Sequence, residues 1–113
     1  MLRASIEAGR VVVAQDGDEV VGYVRWEWFW DRIPYCMLAR VKPSHQRRGI
    51  GQTLYAQVET ALRERGATFW LSSTEEQNER SLLFHRALGF RLIGALSDLG
   101  QESRELFLRK DLE

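Results

Sequence analysis

The chain has 113 residues, and its 16 basic and 16 acidic side chains cancel to a formal net charge of +0. That length suits one core and predicts a single domain over residues 1–113, while the charge balance excludes a general binder of nucleic acid or anionic membranes. A hydrophobic share of 44% with 11% aromatics excludes a disordered chain, and the single cysteine, Cys36, excludes a disulfide framework or a multi-cysteine metal site.

The first residues, Met1 to Glu7, are too polar for a signal peptide. No apolar run approaches the ~20 residues that span a bilayer, so a cytoplasmic protein with no membrane partner is expected. Leu2 and Ile6 stand four apart, which predicts a short helix over residues 2–8 ending at Gly9. Val11 to Ala14 reads as a strand, and Asp16-Gly17-Asp18 is a hairpin signal because Asp-Gly suits positive φ. A long strand follows from Glu19 to about Trp30, Asp31 to Pro34 breaks it, and Tyr35 to Lys42 makes a third strand. These three predict an antiparallel meander.

The period then changes. Ile50, Leu54, Val58, Ala61 and Leu62 define one apolar helix face, which Gly66 ends. Ala67 to Ser73 is rich in β-formers. Asn78 can cap a second helix with Leu83, Phe84, Ala87 and Leu88 as its buried stripe, ended by Gly89. Phe90 to Leu96 and Arg104 to Arg109 close the chain as strands joined around Ser97–Gly100. The order β-β-β-α-β-α-β-β predicts an α/β fold with a mixed, mostly antiparallel sheet, since the central strand-helix-strand crossover requires a parallel pair.

Chemistry concentrates where the third strand meets the first long helix, in Val41-Lys42-Pro43-Ser44-His45-Gln46-Arg47-Arg48-Gly49-Ile50-Gly51. A helix start carries unpaired N–H groups and partial positive charge, which suits an anion. Gly49 and Gly51 let a ligand approach the backbone. Arg47 and Arg48 add charge, with Arg40, Lys42 and His45 near. The pattern describes a pyrophosphate cradle. It is not a P-loop, because Gln52 follows Gly51 where a Lys is needed, and not a dinucleotide fingerprint, because Leu54 occupies the place of the third Gly. Cys36 lacks an activating base among its neighbours, and Ser44-His45 sits on no nucleophile elbow.

On these residues the sequence resembles the GNAT acetyltransferase family. The family pattern Gln/Arg-x-x-Gly-x-Gly/Ala after a strand ending Val-x-Pro reads here as Val41-Lys42-Pro43 and Gln46-Arg47-Arg48-Gly49-Ile50-Gly51. A second signature, an Asn opening a helix and a closing Leu-Gly-Phe, reads as Asn78 through Leu88-Gly89-Phe90. The likeness covers about residues 8 to 110. It implies the acyltransferase fold, acetyl-CoA as cosubstrate without a metal, and acyl transfer to a primary amine of a small molecule or of a protein. It also implies that Arg40, Val41, Gln46, Arg47, Arg48, Gly49, Ile50, Gly51 and Gln52 hold the coenzyme's diphosphate and adjoining arm. The pantetheine would lie between strands 35–42 and 67–73, Asn78 would hydrogen-bond it, and amides near Val41 would polarise the thioester carbonyl.

Two departures from the family follow. His85 stands where a Tyr commonly acts as proton donor to the leaving thiolate; it either takes over that role, only hydrogen-bonds the sulfur, or does neither. Asn78, Ser81 and His85 share a helix face, so a polar stripe can look into a ligand slot. The usual first strand and helix pair are expected to be missing, which leaves the acceptor pocket undefined. Trp26, Trp28 and Trp30 alternate along one strand, predicting a shared aromatic face that packs in the core, forms a homodimer interface or walls an acceptor groove. Glu27 and Asp31 are candidates for the base that deprotonates the amine. The alternative to an enzyme is a catalytically inactive coenzyme A-binding module that keeps the cradle alone.

Overall fold

The alternating and helical periods of the sequence become seven strands and two α-helices among the described residues, which are 2–7 (as backbone) and 10–112 of this computed structural model. The strands are β1 (Leu2–Glu7), β2 (Val11–Asp16), β3 (Glu19–Phe29), β4 (Ile33–Val41), β5 (Phe69–Glu75), β6 (Arg91–Leu96) and β7 (Glu105–Asp111). Helix α1 spans Ile50–Glu64, α2 spans Glu79–Ala87, and a 3-10 turn covers Pro43–His45. Contacts divide the chain into two compact units, Met1–Ala67 and Thr68–Glu113. Within each unit every strand pair is antiparallel, in keeping with the α/β, mostly antiparallel expectation.

In the first unit β1, β2, β3 and β4 pair in chain order. The expected helix over residues 2–8 is instead strand β1, running from Leu2 opposite Asp16 to Glu7 opposite Val11; Gly9, its expected stop, lies outside the described residues. A four-residue spacing fits period two as well as 3.6, and Leu2, Ala4 and Ile6 also alternate. Seven residues are too few to sustain a helix without tertiary support, whereas the neighbouring strand offers a full ladder.

Helix α1 lies on this sheet. Its expected face is buried at Ile50, Leu54, Val58, Ala61 and Leu62, joined by Tyr55 and Glu59. Beneath it are Val12 and Ala14 of β2 and their cross-strand partners Val24 and Gly22 of β3. A Cβ on Gly22 would stand 3.0 Å from the Arg40 carbonyl oxygen and 3.3 Å from Leu54 Cδ1, so a larger residue would press the neighbouring strand and the helix apart by a few tenths of an ångström. Burying Leu54, Val58 and Leu62 stabilises the unit by roughly 1.5–3 kcal/mol each.

The three-tryptophan face is reduced to two. Trp26 is buried, with the Arg65 guanidinium 5.1 Å above its ring and Trp28 edge-on at 5.2 Å. Strand β3 stops at Phe29. Trp30 and Asp31 form a tight turn with φ of 50° and 56°, closed by the Arg32 N–H on the Phe29 carbonyl. Both central residues are left-handed, as in a type I′ hairpin turn, and this turns Trp30 out of the stripe to 77% exposure. The break is shorter than predicted because Pro34 enters β4 opposite Trp28.

In the second unit β7 lies between β5 and β6. Trp70, Ser72 and Thr74 alternate inward on β5, and Leu106 and Leu108 do so on β7. The buried stripe expected on α2 is corrected. Leu83 is 64% exposed, Ala87 is exposed, Phe84 and Leu88 are only half-buried, and the single buried residue of the helix is His85. The polar face turns inward because partners wait for it there, and Phe90 then packs against both Trp70 (5.6 Å) and His85 (5.1 Å).

Trp26→Ala should lower stability by about 3–5 kcal/mol, while Trp30→Ala should change it by no more than about 0.5 kcal/mol; urea midpoints at constant m-value compare them. Burial pushes the His85 pKa below its usual value, only partly offset by the Ser81 carbonyl. The unfolded chain therefore binds the extra proton first. The stability gained from a neutral His85 should be complete above about pH 6.5 and drain away as pH falls through its lowered folded value, a slope that His85→Gln removes.

Candidate functional site

The chain leaves β4 at Val41, makes the short Pro43–His45 turn and enters α1 through Gly49. Two residues on this path are left-handed, Arg47 at φ 64° and Gly49 at φ 77°. For Arg47 that conformation costs roughly 1–2 kcal/mol. Gly49 accepts it without penalty, and the place its Cβ would take is open space. Gly49 also offers no side chain to cap the helix. The first intrahelical bond runs from the Thr53 N–H to the Gly49 carbonyl, so the N–H groups of Ile50, Gly51 and Gln52 have no partner within the helix. Arg47 and Arg48 are exposed beside them and carry no ion pair among the described residues. This corner presents main-chain donors, helix-dipole charge and two guanidinium groups to an anion.

The other expected contributors to the cradle also make contacts within the chain. Lys42 is ion-paired with Glu19. His45 contacts Asp16 Oδ2 through Nε2 at 3.0 Å and Ser44 Oγ through Nδ1 at 2.8 Å, and the His45 hydrogen bond holds the Asp16 carboxyl below its usual range. Asp16 and Glu19 flank the β2–β3 turn, so the Lys42–Glu19 ion pair and the His45–Asp16 hydrogen bond tie the start of the loop to that hairpin. Gln46 folds back, its Nε2 donating to the Val41 carbonyl at 3.0 Å, and Arg40 donates to the Ala39 carbonyl at 3.2 Å.

The expected base is poorly placed to accept a proton. Glu27 takes Arg10 Nη1 at 2.7 Å and Arg25 Nε at 3.1 Å, and these bonds, Arg25's first, hold its carboxyl below the usual range. Asp31 sits in the left-handed hairpin turn, exposed. Cys36 is buried with its Sγ 3.4 Å from the Tyr55 hydroxyl.

In the second unit Asn78 caps α2 as expected, Oδ1 accepting from the Ser81 N–H at 3.1 Å. The preceding loop is clamped where Arg104 forks onto Glu76, with Nη2 at 2.9 Å and Nε at 3.1 Å from Oε2. His85 lies inward rather than on an open face, with Nε2 2.8 Å from Ser72 Oγ and Nδ1 2.7 Å from the Ser81 carbonyl oxygen. Sequence reading overlooked Asp16, Glu19 and Ser72 as partners. Asp16 and Glu19 are far in sequence from His45 and Lys42 and carried no signal. Ser72 did carry one, as a polar residue in the inward register of a buried strand.

Among the described residues no cluster of three His, Cys, Asp or Glu side chains is placed to hold a metal ion, and no helix is long and apolar enough to cross a membrane. Residues 2–90 match the model of the acetyltransferase (GNAT) family. The L-methionine sulfoximine/L-methionine sulfone acetyltransferase of Salmonella typhimurium is 28% identical over 94 residues, covering 80% of this chain and 55% of that protein. The L-amino acid N-acyltransferase MnaT of Escherichia coli is 27% identical over 96 residues, with the same 80% and 55% coverage. This chain thus spans little more than half the length of the curated relatives it matches. The structure of yncA from Salmonella typhimurium, assigned as an acetyltransferase and solved with its cofactor acetyl-CoA, superposes with a TM-score of 0.78 at 23% identity, covering 91% of this chain and 64% of that one. The chain belongs to the acetyltransferase (GNAT) family.

Proposed function

We propose that this chain is an acetyl-CoA-dependent N-acyltransferase that moves an acetyl group to a primary amine. The observation that carries the reading is the uncapped start of α1, where Gly49 leaves its own side-chain position open and three N–H groups have no partner within the helix, beside Arg47 and Arg48. These residues fit a diphosphate: the amides of Ile50, Gly51 and Gln52 donate to its oxygens and the two guanidinium groups balance its charge. Gln46 holds the Val41 carbonyl and so fixes the entry to the loop. Asn78 uses its oxygen as a cap and keeps its amide N–H groups to donate to the pantetheine arm. When bound, acetyl-CoA supplies an activated acyl group whose thiol, with a pKa of about 8.5, leaves with little help. The chain's part is to hold the donor and to aim amides near Val41 at the thioester carbonyl oxygen.

The two curated relatives, named for L-amino acids and for methionine sulfoximine and sulfone, support a small amino acid or analogue as acceptor. The proposal places the protein in the cytoplasm, where such compounds and acetyl-CoA meet. A homodimer through the tryptophan face has weaker support, since Trp26 is covered and Trp30 lies off that face. A second reading, a coenzyme A-binding module without turnover, is favoured by one specific observation: Glu27 is held between two arginines and His85 is buried, so neither stands ready to exchange a proton with an acceptor.

Gly49→Ala and Gly49→Glu share the backbone cost of about 1–2 kcal/mol at positive φ and differ at the anion. By calorimetry, wild type and Gly49→Ala should bind coenzyme A, while Gly49→Glu should bind more than about 100-fold more weakly; equal binding by the two variants would remove the cradle from the reading. Thiol release from acetyl-CoA across a panel of primary amines, amino acids first, should show turnover. Binding without thiol release to any amine would select the non-catalytic module.

A further inference from the structure

A histidine is the one residue α2 buries, and four groups of the second unit form a continuous hydrogen-bonded line through it. The Ser81 carbonyl oxygen, 2.7 Å from His85 Nδ1, can only accept, so Nδ1 carries the proton. In the neutral ring Nε2 is then a bare lone pair, and Ser72 Oγ at 2.8 Å donates to it. Ser81 passes the line on through its N–H to Asn78 Oδ1 at 3.1 Å. The rings of Phe84 and Phe90 stand nearly perpendicular to the imidazole at 5.5 and 5.1 Å and fix its plane. Ser72 is 1% exposed and His85 4%, and burial favours the uncharged ring.

We propose that His85 is a positioning residue, not a proton donor: with one proton on Nδ1, it ties the first turn of α2 to Ser72 of β5 and thereby holds Asn78 in place for the coenzyme's pantetheine arm. The inference rests on the coenzyme-binding reading of the site. A donor to a departing thiolate needs a proton on an accessible nitrogen. Here the proton points at a main-chain carbonyl, and the other nitrogen is occupied by a buried hydroxyl.

Two measurements on the full chain test this. A long-range proton–nitrogen NMR spectrum of the ¹⁵N-labelled protein at pH 7.5 should show His85 neutral with the proton on Nδ1; a proton on Nε2, or an imidazolium, would overturn the proposal. Ser72→Ala and His85→Gln should each weaken coenzyme A binding by roughly three- to tenfold, as expected for one lost hydrogen bond, and Ser72→Thr should restore it. The KM for acetyl-CoA should rise with kcat nearly unchanged. A fall in kcat at unchanged affinity would return His85 to proton transfer. Lower thermal stability at unchanged affinity would leave it a core residue only, and either result overturns the proposal. If the wild type binds no coenzyme A, the parent reading fails, and the NMR result then reports on the histidine alone.

Discussion

A helix start that no side chain caps leaves its first N–H groups in need of an acceptor, and the passage from β4 into α1 is built that way. Gly49 provides the left-handed bend and withholds the oxygen that Ser, Thr, Asp or Asn would have offered in its place. The body of α1 is meanwhile held by Leu54, Val58 and Leu62 over the β2 and β3 strands, so the donors at its start sit on a rigid base. The cost of an uncapped end and of a left-handed Arg47 is borne by that packing.

Charge around the loop is sorted in the same spirit. Of the five cationic or titratable groups that the sequence gathers there, Lys42 and His45 are turned toward Glu19 and Asp16. They brace the loop against the β2–β3 hairpin, and Arg47 and Arg48 are left to face solvent beside the helix start. A cradle in which every cation pointed at the ligand would have had to hold mutually repelling charges together in the empty protein. Pairing Lys42 with Glu19 relieves that repulsion, and together with the His45–Asp16 hydrogen bond it stiffens the loop, although an exposed ion pair contributes little to stability on its own.

Much of this was legible in the amino acids, for identifiable reasons. The face of α1 was readable because five apolar residues repeat over four turns, and the cap at Asn78 because an Asx side chain before a helix has one favoured use. The meander was readable from alternation and one Asp-Gly turn. Three features were not. Leu2 and Ile6 fit helix and strand periods equally, and only pairing with β2 decides between them. Trp30 matched the alternation of β3, but two successive left-handed residues ended the strand first. On α2 the leucines outvoted the histidine in any count of hydrophobicity. What reversed the outcome was Ser72, a single hydroxyl on a distant strand that gives the imidazole a buried partner. A contact of that kind joins residues far apart in sequence, and its one local trace is a polar Ser72 in the inward register of β5.

The placement of β7 bears on how the second unit is assembled. Within that unit β5 is laddered to β7 along its whole length, from Phe69 opposite Asp111 to Glu75 opposite Glu105, while the intervening residues form α2 and the outer strand β6. During translation the segment 69–75 therefore emerges well before its mate, and the inward Trp70 of that strand must wait for residues 105–111 to leave the ribosome. Pairing over so long a loop closes slowly compared with a hairpin, which makes this half of the nascent chain the part most exposed to chaperones and to wrong partners.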